Sequence, residues 1–139
     1  MFFFAYFAGL IGARLAGGLG LRWLADPTVL LPAYGLMAAS LVGLALGESV
    51  VLLRGVGLLC GISHGVLMPV LYAVLLFGVP RGRRGWGVAL LAAGFDLGNV
   101  VGTMGLGLMA EGLGYRGIFA LAGGIVLVGA VAAHWWGRR

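Results

Sequence analysis

The chain has no lysine, no glutamine, one cysteine, one asparagine and three serines in 139 residues. Charged residues make up 9% of it, where a soluble domain carries about 25%. That shortage leaves too little polar surface to cover a globule in water. The single Cys60 cannot form an intrachain disulfide, so no disulfide scaffold exists. One cysteine and two distant histidines cannot supply a four-ligand zinc site. Without lysine there is no phosphate-binding Gly-Lys-Ser/Thr loop, which argues against an ATP-driven pump subunit. The serines, Ser40, Ser49 and Ser63, offer no nucleophile–base–acid set. Ser63 adjoins His64, but on a helix the two point about 100° apart. No enzyme and no cofactor is expected.

What remains is apolar. Hydrophobic residues are 62% of the chain and its mean hydropathy is +1.11. They fall into five runs, roughly 2–20, 29–46, 50–79, 86–110 and 118–133. A hydrocarbon core about 30 Å thick is crossed by about 20 helical residues. The reading is therefore an all-α membrane protein with five transmembrane helices. Glycine numbers 28, and glycine lets membrane helices approach closely. The first run lacks a basic leader and a small-residue cleavage site, so it reads as a helix that stays.

The nine arginines give a net charge of +5. They lie between apolar runs rather than on one solvated face, which excludes a nucleic-acid surface. Arg14, Arg22, Arg81, Arg83, Arg84, Arg138 and Arg139 flank one side of the runs. Arg116 flanks the other, with Glu48 and Glu111. Short arginine-rich loops stay cytoplasmic. The N-terminus is therefore expected outside and the C-terminus inside, in a plasma or inner membrane. Trp135 and Trp136 suit an interfacial anchor, and His134 beside them is placed at the same interface. A chain that starts outside without a leader is expected to be a piece of a longer protein.

Several polar residues lie within the runs. On the third, Arg54, Gly57, Gly61, His64, Gly65, Met68 and Tyr72 share a face about 100° wide. Its three glycines at spacing four make a groove for a helix or a cavity. Arg54 is one turn from the outer end, where it can snorkel. His64 is near the middle. On the fourth run, Asp96, Asn99 and Thr103 share one face, and Gly94, Gly98 and Gly102 another. Asp96 and His64 fall at similar depth and could face one cavity. An acid at mid-membrane costs about 2.5–3.5 kcal/mol on insertion scales. Asp96 is therefore a candidate proton or cation site, with Asn99, His64 and Arg54 as further transport candidates. The structural alternatives are a helix-clamping acid at Asp96, a helix-bridging side chain at His64 and an interfacial anchor at Arg54. Arg14, near the inner boundary, reads as a snorkelling topology determinant. The second and fifth runs carry little polarity and suit lipid.

Motif order then adds a resemblance. Arg14-Leu-Ala-Gly-Gly18 followed by Val29-Leu-Leu-Pro32, then Gly61-Ile-Ser-His-Gly65 with Pro69, come first. Val79-Pro-Arg-Gly-Arg-Arg-Gly85 follows, then Phe95-Asp-Leu-Gly98, Gly102, Glu111-Gly-Leu-Gly-Tyr-Arg116 and Phe119. Together they resemble the C-terminal half of a major facilitator superfamily transporter, over nearly the whole chain. The chain would hold the last five of twelve helices. Arg22 stands where that family carries an acid, and Asp26 comes later. The resemblance implies proton- or ion-coupled movement of a small solute by alternating access, in the manner of an efflux permease. It also places the second and fifth spans at the periphery and the third centrally. Completing a cavity would require missing N-terminal helices, a partner chain or self-association. The alternative is a non-transporting membrane fragment or a structural subunit of a membrane assembly.

Overall fold

The computed structural model describes residues 1–18 and 27–137. Arg22, Asp26, Arg138 and Arg139 lie outside the described residues, as does the end of the first run. Every regular element among the described residues is helical. α1 spans Phe2–Gly18, α2 Leu30–Leu46, α3 Val50–Gly78 and α4 Arg84–Gly137, with 3-10 turns at Pro27–Val29 and Arg81–Arg83. α3 and α4 are each long and apolar enough to cross a membrane. α1 and α2 have 17 residues each, about 25 Å of rise, at the short end of spanning length.

The junctions follow local chemistry. α2 stops where Gly47 turns extended, and Ser49, also extended, precedes α3. α3 stops at Val79, which is extended before Pro80, because the proline ring disfavours helical backbone in the residue before it. α4 covers 54 residues but is broken at Gly114, whose φ is 65° and ψ 170°. Essentially only glycine adopts that backbone. The fourth and fifth apolar runs are thus two helical segments, 84–113 and 115–137, joined at one glycine.

Close contacts fix the direction of each segment. A methyl built on Gly57 would sit 2.9 Å from the Phe2 carbonyl oxygen. One on Gly61 would strike the Tyr6 carbonyl, and one on Gly65 would lie 2.8 Å from the Leu10 carbonyl oxygen. The residue numbers rise together, so α1 and α3 run parallel. α1 reciprocates with Gly9, which is pressed on the Leu58 carbonyl. The glycine groove on α3 therefore holds α1, at backbone-to-backbone distance.

α2 runs the other way. Gly43 meets Val56, and Cys60 and Ser63 reach Met37. Gly123 meets Ala38, Leu41 and Val42 while Arg116 pairs with Glu48, so the second segment of α4 is antiparallel to α2. Gly87 meets Leu75 and Val79, and His64 meets Phe95, so the first segment is antiparallel to α3. The five segments alternate in direction.

α2 is packed between α3 and the second segment of α4, and Ser40 is 1% exposed within it. Its hydroxyl donates to the Leu36 carbonyl at 2.7 Å, which satisfies it within its own helix. The first segment of α4 is the least covered. Gly94, Gly98 and Gly102, expected to form a packing face, have nothing within 4 Å of an added methyl. Leu97, Val101, Met104 and Leu108 are exposed there.

Candidate functional site

The best-defined polar contact joins α1 to α3. The Tyr6 hydroxyl lies 2.8 Å from His64 Nδ1. Their rings meet edge to face at 6.0 Å between centroids. The register of the glycine groove sets this pair. Gly61 seats the Tyr6 backbone, and His64 is three residues further along α3, on the same face. Phe95 from the first segment of α4 also meets the imidazole, edge to face at 6.5 Å. His64 is therefore held by side chains from two other segments and is half-buried.

Arg14 extends this site along α1. Ala13, its neighbour, sits against Gly65, the neighbour of His64. The Arg14 charge acts on both Tyr6 and His64. Arg14 is exposed and, among the described residues, pairs with no acid. Tyr6, His64 and Arg14 form a polar strip on an otherwise apolar seam. Tyr6 was not singled out from the sequence, and Arg14 was read only as a topology determinant. Tyr6 stands about one turn into α1 while His64 is midway along α3, so depth alone does not pair them and the register of the two helices does.

The remaining candidates are placed apart. Arg54 donates to the Met1 sulfur at 3.3 Å at the start of α1 and α3, and is exposed. Asp96 and Asn99 are exposed on the first segment of α4. Asp96 carries no hydrogen bond or ion pair among the described residues. The Thr103 hydroxyl donates to the Asn99 carbonyl at 2.5 Å. Asp96 adjoins Phe95, so its helix reaches His64, but the aromatic ring makes the contact. A cavity of about 530 Å³ lies between α1, α2 and α3, behind this strip. Gly9, Gly12, Pro32, Leu36 and Ile62 line it, and no ionisable side chain does. No group of three metal-ligating side chains occurs among the described residues.

The Glu48 carboxylate and the Arg116 guanidinium form an ion pair at the end of the bundle where α3 begins and α4 breaks. Arg81, Arg83 and Arg84 lie at the other end, between α3 and α4.

No protein-family model matches the chain, and no solved structure matches it. Over 85 residues it is 34% identical to "Probable anion transporter 3, chloroplastic" of Arabidopsis thaliana. The match covers 61% of this chain and 17% of that protein. The chain is thus similar in part to a transporter and spans about a sixth of its length.

Proposed function

We propose that this chain is the membrane-embedded part of a secondary transporter that moves a small anion. The observation that carries the reading is the likeness to an anion transporter in a chain of apolar helices. The charges of Arg14 and Asp96, exposed and unpaired among the described residues, support it, because ionisable side chains at membrane depth mark solute and ion pathways.

In this reading the five segments each cross the bilayer. The alternation in direction fits five crossings. The loop holding Arg81, Arg83 and Arg84 faces the cytoplasm, and the Glu48–Arg116 end faces outward. The membrane is the plasma or inner membrane. The architecture is that of a major facilitator C-terminal bundle working by alternating access. Asp96 takes up the coupling proton or cation, and Asn99 supplies a neighbouring amide. The uncovered first segment of α4 faces the pathway or further helices that complete it. Efflux is the direction the resemblance suggests. No chemical conversion of the solute is assigned.

The test is uptake of radiolabelled inorganic phosphate and malate into proteoliposomes holding the purified chain, with and without an imposed pH gradient. Gradient-dependent accumulation above empty vesicles is expected. Absence of flux for a panel of inorganic and carboxylate anions would favour the rival reading, a structural subunit. That rival draws on the small share of the relative that the chain covers.

A further inference from the structure

We propose that Arg14 and His64 form the anion-binding subsite of this chain, with Tyr6 as the residue that positions His64. The proposal deepens the transport reading and rests on it for the identity of the ligand as cargo. The ligand class is a small dissolved oxyanion, a carboxylate or a phosphate.

A phenol is a better donor than a neutral imidazole N–H, and an imine nitrogen is a better acceptor than a phenol oxygen. The 2.8 Å contact is therefore Tyr6 O–H donating to His64 Nδ1. That fixes the neutral tautomer with its proton on Nε2, so the free edge of the ring is a donor. The Tyr6 and Phe95 rings meet the imidazole edge to face from two segments, so its orientation is held by packing.

Arg14 supplies the charge. Its guanidinium carries five donors and no acceptor, in a fork that matches a carboxylate or phosphate edge. A guanidinium on an apolar helix is expected to pair with an acid. Among the described residues none pairs with it, and the groups its charge reaches, Tyr6 and His64, carry no negative charge. Arg14 and the Nε2–H of His64 are thus two donor groups on one strip with no acidic partner among the described residues. An oxyanion satisfies both donors.

Tyr6 acts through His64. Removing its hydroxyl frees the imidazole to change tautomer and present an acceptor to the ligand. That predicts weaker anion binding with the helix contact intact, because the Tyr6 backbone rather than its hydroxyl fills the Gly61 groove.

The experiment is equilibrium binding of radiolabelled inorganic phosphate to the purified chain in phosphatidylcholine nanodiscs, beside phosphate flux in proteoliposomes. Arg14→Gln should weaken binding about tenfold or more, as loss of a charge-assisted bond does. Arg14→Lys should recover part of that loss. Tyr6→Phe should weaken binding about threefold to tenfold. Arg83→Gln, on the loop, should bind as the parent does. Thermal unfolding of each variant, unchanged, shows that folding is intact. If parent and Arg14→Gln bind phosphate equally, or neither binds phosphate or malate, the subsite is refuted whether or not the chain transports. If Arg14-dependent binding is found without flux, the subsite stands and the transport reading fails. If phosphatidylglycerol competes with phosphate stoichiometrically while malate does not, the ligand is a lipid headgroup, and the proposal of a dissolved cargo is overturned.

Discussion

Glu48 and Arg116, 68 positions apart in the chain, form an ion pair that ties the α2–α3 junction to the α4 break. Both side chains are largely exposed, so the contact contributes little energy, about 0.2–1 kcal/mol. Its value is geometric. It places at one end of the bundle two charges that the sequence, by counting loops, assigns to one side. Glu48→Arg should lower stability by about 0.2–1 kcal/mol, and adding Arg116→Glu should restore it. Detergent-based thermal unfolding of the two single variants and the pair measures this. Additive losses in the double variant would deny the contact.

The α1–α3 seam makes a sharper prediction. A methyl at Gly61 would collide with the Tyr6 carbonyl, which belongs to backbone and cannot turn aside. Gly61→Ala should cost about 1–3 kcal/mol through overpacking. Gly55→Ala, six residues away with open space around it, should cost nothing, since alanine is the better helix former. The comparison is the unfolding midpoint of each variant in the same detergent. Equal midpoints would mean that α1 does not occupy the groove.

At Gly114 the expected cost has another origin. Its positive φ with extended ψ is a backbone state reserved for glycine, so Gly114→Ala should cost about 1–3 kcal/mol. Gly112→Ala, in helical backbone with nothing near it, should not. A straightened α4 would also separate Arg116 from Glu48. Spin labels at Leu108 and Leu121, introduced as cysteines in a Cys60→Ala background, should report a longer separation when Gly114 is replaced. No change would assign the break to packing rather than to this glycine.

Asp96→Asn tests the coupling role. The side chain is exposed and unpaired among the described residues, so its replacement should leave expression and unfolding unchanged. Gradient-driven accumulation should be lost, while downhill exchange continues. Undiminished accumulation would remove Asp96 from the coupling site.

Much of the architecture was legible in the residues. Runs 29–46 and 50–79 became α2 and α3 within about one residue at each end, because Gly47, Ser49 and Pro80 interrupt helices for local reasons. The fourth and fifth runs were separated at Glu111–Arg116 by polarity. Gly114 is the one non-helical residue there, so helical backbone takes up nearly all of the polar stretch. Other features depend on register between distant helices. The groove at Gly57, Gly61 and Gly65 was visible, but not that α1 fills it. His64 stood out as a polar residue among glycines, but its partner Tyr6 is 58 positions away and is set by how α1 slides along α3. Asp96 and His64 sit at comparable depth as expected, yet one residue of rotation puts Phe95 against the imidazole. Among the described residues the Gly94, Gly98 and Gly102 face met no helix, since a small-residue stripe states what can pack closely and not what does.

Everything proposed here depends on the chain crossing a bilayer five times. Cysteine accessibility measures that most directly. With buried Cys60 replaced by alanine, Glu48→Cys and Gly82→Cys are introduced singly and treated with a membrane-impermeant maleimide on intact cells, then after permeabilisation. The account predicts labelling of position 48 in intact cells and of position 82 only after permeabilisation. Labelling of both positions from the same side would contradict it.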